Sequence, residues 1–172
     1  MIRRFGKYEP DIDESCFVAD SADIIGKVKL CEDVNVWFGA VVRGDSNNIC
    51  IGRKTNVQDN CTIHVDPHSP VHIGECVTIG HNAVIHGCEI GNSTLIGMGS
   101  IVMNGAVIGS KSIIGAGSIV TENKIIPSGV LCVGAPARIV RKLTDEERLK
   151  LGSEAEHYVE NSRSYGDFNI NK

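Results

Sequence analysis

A branched aliphatic residue recurs at every sixth position through most of the chain, and few folds accommodate such a period. Stepping by six from Ile90 reaches Ile96, Val102, Ile108, Ile114, Val120 and Ile126. Four residues after successive aliphatics stand the small or polar Thr94, Ser100, Ala106, Ser112 and Ser118, and glycine often follows directly, as at Gly91, Gly97, Gly109 and Gly115. The same step runs earlier in three blocks: Val18, Ile24, Leu30, Val36, Val42; then Ile51, Val57, Ile63; then Ile73, Ile79, Ile85. Irregularities join the blocks. Three extra residues lie between Val42 and Ile51 and four between Ile63 and Ile73, the latter including Asp66-Pro67-His68-Ser69, whereas one residue is missing between Ile85 and Ile90.

A six-residue period fits no helix. It fits very short strands separated by sharp turns, each strand pointing one aliphatic inward. Three such strands close a triangular coil of about 18 residues, and stacked coils pair their backbones and line up their inner aliphatics. Composition agrees: 21 Ile and 18 Val stand against 6 Leu, and 19 Gly suit a chain that turns constantly. The expected architecture is an all-β solenoid, a parallel β-helix of roughly six coils from Val18 to Cys132, on the order of 30 Å long. Residues 1–17 form a lead-in, 18–137 the β-helix domain, and 138–172 a C-terminal helix and tail. Gly134-Ala135-Pro136-Ala137-Arg138 stops the repeat. Thr144 and Glu147 then read as a capping box, and Leu151, Ala155, Tyr158 and Val159 have helical spacing. This predicts a helix over 145–162 packed along the prism, with a tail to Lys172 that frays.

The 172 residues carry a net charge of -4 and are 42% hydrophobic. One core fits, disorder does not, and a mildly acidic surface argues against a nucleic-acid partner. No apolar run approaches the roughly 18 residues of a membrane span, and no signal-peptide pattern opens the chain, so a cytoplasmic protein is expected. Seven cysteines are scattered without C-x-x-C spacing, which points to reduced, half-buried thiols and not a zinc knuckle.

Assigning inner aliphatics to three faces in rotation puts Val36, Val57, Ile79 and Ile96 on one face. Val42, Ile63, Ile85 and Val102 fall on the next, and Ile51, Ile73 and Ile90 on the third. His64 follows Ile63 and His86 follows Ile85, so both occupy one ladder, a coil apart and about 4.8 Å between Cα atoms. That separation lets their nitrogens converge toward the roughly 3.4 Å of two ligands on a tetrahedral zinc. Arg43 sits on the same ladder below His64. His81 lies two residues after Ile79 at the neighbouring face, directly above Asp59, with Gln58 beside it. A convex prism turns these ladders apart. Three prisms around a threefold axis would bring them together as a three-His metal site. His68, His72 and His157 lack this register. His68, in the Pro-bounded loop beside His64, is kept as a candidate proton relay.

The motifs Arg43-Gly44-Asp45, Asn56-Val57-Gln58-Asp59, the lone His64, and His81 with His86 five residues on resemble the γ-class carbonic anhydrases and their relatives. The similarity covers nearly the whole chain. It implies a left-handed β-helix with a C-terminal α-helix, assembled as a homotrimer with zinc, or alternatively iron or cobalt, at each subunit interface. His64 and His86 match ligands from one subunit and His81 the ligand from its neighbour. Arg43 and Asp45 match interface salt-bridge residues near the bicarbonate site. Gln58 matches the residue that orients the metal-bound hydroxide, and Asp59 and Asn56 match polar positions around the site. The implied activity is metal-hydroxide attack on CO2, giving bicarbonate.

Two departures concern proton export. Ser46 stands where the founding type has Glu, and the loop Val65-Asp66-Pro67-His68-Ser69-Pro70 lacks Glu; Asp66 or His68 is the candidate substitute. Three other functions compete with CO2 hydration. They are a metal-dependent thioesterase or hydrolase, a hexapeptide-repeat acyltransferase, and a weakly active or non-catalytic trimeric homologue.

Overall fold

The structure is a computed structural model that describes residues 1–165. It is a left-handed parallel β-helix of about seven turns, closed at one end by a hairpin and flanked by one helix. The first face is an eight-stranded sheet. It stacks Phe17–Val18, Asn35–Val36, Asn56–Val57, Thr78–Ile79, Leu95–Ile96, Ile113–Ile114 and Val130–Val133 in order, with Arg138–Lys142 as its eighth strand. The other two faces belong to a single twelve-stranded sheet, because the strands Asp23–Leu30 and Val41–Ile51 run on from one face to the next. The three sequence-assigned faces are the observed ones. Val36 pairs with Val57 and Ile79 with Ile96; Val42 with Ile63 and Ile85 with Val102; Ile51 with Ile73 and Ile73 with Ile90.

Seven turns replace the expected six because the lead-in joins the coil. Ile2–Arg3 and Asp11–Ile12 both pair in parallel with Asp23–Leu30, and Ile12 stands one further six-residue step before Val18.

Stacking fills the prism with columns of branched aliphatics, all fully buried along Ile24, Val42, Ile63, Ile85, Val102 and Val120. Each such side chain is stabilised by about 1.5–3 kcal/mol on leaving water. Between columns, buried corner hydroxyls bond to the coil above. Ser100 Oγ donates to the Gly115 carbonyl (3.0 Å) and Ser112 Oγ to that of Pro127 (3.0 Å). This explains why small polar residues recur four places after the aliphatics: a larger side chain would not fit the corner, and an apolar one would leave carbonyls with fewer donors. The turns use left-handed backbone. At Gly105 (φ +68°) an added Cβ would lie 2.2 Å from Asn123 Oδ1.

After Ala137 the chain reverses, and Arg138–Lys142 pairs antiparallel with Val130–Val133. This strand has no inward residue, so the six-residue pattern did not announce it. It covers the end of the first sheet, where an open edge would invite pairing with another chain.

The C-terminal helix spans Asp145–Ser164, two residues beyond the expected end, and its Thr144/Glu147 capping box is formed in both directions. Buried Leu151, Ala155 and Val159 face the prism, where the helix packs on the strands containing Val36, Val57 and Ile79. Trp37 meets Tyr158 edge-on at 5.8 Å, and Lys54 pairs with Glu156 at 2.7 Å. The expected frayed tail lies outside the described residues. Among the described residues no helix is long and apolar enough to cross a membrane.

Candidate metal centre

The site is built where the repeat is broken. Arg43, His64 and His86 are direct neighbours on consecutive rungs of the second face, as the indexing requires. The extra residues after Val42 and after Ile63 bulge outward on either side of this ladder and bond to each other. Ser46 Oγ donates to the Val65 carbonyl (3.1 Å), and Asn47 Nδ2 donates to the carbonyls of Asp66 and Pro67 (both 3.2 Å). Within the second loop, Asp66 Oδ1 accepts from the backbone N–H groups of His68 (2.8 Å) and Ser69 (2.9 Å).

Hydrogen-bond partners decide where the imidazole protons sit. His64 Nε2 faces Asp45 Oδ1 at 3.0 Å, and Asp45 also pairs with Arg43. Burial alone would push the Asp45 carboxyl up, but the bonds from His64 and Arg43 prevail and hold it below its ordinary range. An ionised carboxylate only accepts, so His64 carries its proton on Nε2 and presents the Nδ1 lone pair. Asp66 Oδ2 accepts from Asn104 Nδ2, which turns Asn104 Oδ1 toward His86 Nδ1. His86 therefore carries its proton on Nδ1 and presents the Nε2 lone pair. The two presented nitrogens, His64 Nδ1 and His86 Nε2, lie 3.0 Å apart. Two lone pairs that close need a cation between them, a proton or a metal. The separation is near the roughly 3.4 Å expected of two nitrogens on one tetrahedral zinc.

His81 stands at the adjoining corner. Its Nδ1 meets Asp59 Oδ2 at 2.8 Å, which leaves Nε2 as the nitrogen with an available lone pair. Thus all three imidazoles have the nitrogen opposite their lone pair held by a partner. Within one chain, however, no three His, Cys, Asp or Glu side chains gather to hold an ion among the described residues. What one chain holds is a His64–His86 pair and, at the next corner, a separate His81, nitrogen donors of the kind that suit a divalent transition metal.

Gln58 and Asn56 are buried beside His81. Gln58 Oε1 accepts from the His81 backbone N–H (3.1 Å), its Nε2 donates to Asn56 Oδ1 (3.1 Å), and Asn56 Nδ2 donates to Thr78 Oγ1 (2.9 Å). Arg43 and Asp45 pair within the chain, with Arg43 half-exposed. A groove of about 470 Å³ runs from Gln58 and His81 past Gly80, Gly97 and Gly115, walled by Leu95, Met98 and Tyr158. His68 stays in the loop beside the ladder, bonded to Asp66 through its backbone, while His72 and His157 stand apart. His72 lies on the third face between Cys50 and Glu89, and His157 bonds Asn161 on the helix. The seven thiols are free; burial pushes those of Cys16 and Cys88 up to about 12 and that of Cys61 to about 11, which makes them poor nucleophiles.

Sequence reasoning missed Asn104. It sits beyond the His64–His86 ladder, in line with Gly87, and an added Cβ on Gly87 would lie 2.7 Å from Asn104 Oδ1. The readable signal was a glycine directly after a histidine, with an asparagine one coil above.

Residues 87–122 match the family described as bacterial transferase hexapeptide (six repeats). The chain is 39% identical to the carbonic anhydrase of Geobacillus kaustophilus, over 96% of this chain and 91% of that protein. It is 40% identical to the mitochondrial gamma carbonic anhydrase 2 of Arabidopsis thaliana over 95% of this chain, and spans 64% of that protein's length. The crystal structure of a hexapeptide transferase family protein from Anaplasma phagocytophilum superposes with a TM-score of 0.92 at 41% identity, covering 95% of this chain and 97% of that one.

Proposed function

The chain belongs to the γ-carbonic anhydrase-like family of hexapeptide-repeat proteins, and on that premise we propose that it interconverts CO2 and bicarbonate at a metal site shared between subunits of a homotrimer. The observation that carries this reading is the orientation of the three imidazoles. His64 Nδ1 and His86 Nε2 face each other 3.0 Å apart, and His81, at the next corner, is held by Asp59 through Nδ1, which leaves Nε2 to present. His64 and His86 of one subunit with His81 of another would hold zinc, and iron or cobalt suit the same nitrogen donors. When bound, such an ion supplies Lewis acidity and makes a hydroxide nucleophile accessible near neutral pH.

The chain's own residues then orient and bind. Gln58 is locked by Asn56 and by the His81 backbone, so its second amide N–H is held ready to donate to a reacting oxygen. Arg43 is half-exposed and anchored by Asp45, which leaves guanidinium donors for an anionic product. Asp45 thereby ties the anion-binding cation to the His64 proton. Proton export is the weak step: Ser46 has no carboxyl, and Asp66 is engaged by three donors. External buffer should take over that role.

The test is metal analysis of purified protein, followed by stopped-flow CO2 hydration with and without imidazole. Bound metal with imidazole-stimulated hydration is expected; absence of metal after zinc loading would refute the reading. The apolar groove beside His81 favours a second reading, hydrolysis of a larger acyl substrate at the same centre. Metal with thioester hydrolysis and no CO2 hydration would establish that reading in place of the first.

A further inference from the structure

We propose that Asn104 and Asp66 are positioning residues that fix the His86 tautomer, so that Nε2 is bare before any metal arrives. This rests on the metal reading and extends it to residues outside the ligand set. His64 and His81 each meet a carboxylate directly, through Asp45 and Asp59. His86 does not; an amide stands between it and the nearest carboxylate. The amide alone is ambivalent, since a flipped Asn104 would offer Nδ2 to His86 Nδ1 and favour the opposite tautomer. Asp66 removes that choice, because a carboxylate accepts only the Nδ2 end. Asp66 is in turn pinned by the backbone N–H groups of His68 and Ser69. Gly87 leaves the space through which Asn104 reaches.

The four-residue insertion after Ile63 thereby acquires a purpose: it carries Asp66 across to the coil of Asn104. An amide intermediary also keeps a third carboxylate away from the ion. Asp45 and Asp59 already offset the charge of a divalent cation, and more negative charge would strengthen binding of the ion while weakening its Lewis acidity.

The test uses the full chain, first without metal. Long-range proton–nitrogen NMR of His86, at a pH where it is neutral, should show a protonated Nδ1 and a bare Nε2. Asn104→Leu and Asp66→Ala should each shift His86 toward the Nε2–H form and weaken zinc binding by about 10- to 100-fold. The exchanged pair Asp66→Asn with Asn104→Asp retains an acceptor for His86 and a donor behind it, so it should restore both readouts. An Nε2–H form in the unaltered protein would overturn the proposal. So would an unchanged tautomer in Asn104→Leu, or an exchanged pair that folds and assembles without rescue. Should Asn104→Leu fail to fold, the unaltered protein and the exchanged pair still decide. Because the tautomer is read without metal, an Nδ1–H His86 in a protein that never binds zinc would refute the metal reading and leave the positioning role standing.

Discussion

The stretch from residue 87 to 132 and the stretch from 43 to 86 are the same fold used in two ways. In the first, every inner aliphatic from Ile90 to Ile126 falls on the six-residue step, and the segment matching the hexapeptide family lies within it. It reaches the candidate centre only through Asn104 and the space left by Gly87. The second contains two insertions, and the single missing residue lies at its junction with the first. It carries Arg43, Asp45, Gln58, Asp59, His64, His81 and His86. Regular coils leave each outward side chain facing solvent or a like neighbour. Interrupted coils bring loops from different rungs into contact, as Ser46 with Val65 and Asp66 with Asn104. Repetition supplies the scaffold, and its interruptions supply the polar contacts that orient a site.

Changes confined to the regular stretch should separate stability from metal binding. Ile114→Ala removes a fully buried member of an inner column and should cost about 2–5 kcal/mol in denaturant unfolding, with zinc affinity unchanged. Gly117→Ala puts a side chain into a left-handed turn (φ +66°) far from the histidine ladder and should cost about 1–2 kcal/mol by the same measurement. A smaller effect belongs to the helix cap. Arg141 foremost, with the Thr144 backbone N–H, draws the Glu147 carboxyl down from its ordinary range to about 2. The folded pKa is the lower one, so this contribution is complete above about pH 4.5 and fades as pH falls toward 2, readable as loss of helical circular dichroism. Ser46→Ala, in the interrupted stretch, should change stability by less than about 0.5 kcal/mol, since its hydroxyl bonds a loop carbonyl near the surface. A large loss there would mean that the loops are part of the scaffold after all.

Much of this was legible in the sequence because the period allows so little freedom. Once Ile63 and Ile85 are assigned to one face, the stacking of His64 on His86 follows, and the assignment of Val57 and Ile79 to another puts Asp59 beneath His81. The helix was legible through Thr144 and Glu147, whose reciprocal bonds are local. The rest depended on contacts with no fixed spacing. Asn104 and Asp66 are 38 residues apart and meet only because a loop folds back over a glycine. Arg138–Lys142 pairs through its backbone with no buried side chain to mark it, and the first coil hid in a lead-in with only Ile2 and Ile12 to show it.

The most direct test of a centre shared between subunits is complementation. Two chains are prepared, one carrying His64→Ala with His86→Ala and the other His81→Ala, and metal content is measured for each alone and after refolding together. Neither should hold metal alone, while trimers containing both chains should hold about one ion each, at the interface where intact ligands meet. Full metal occupancy in either chain alone, or none in the mixture, would contradict a site built from two subunits.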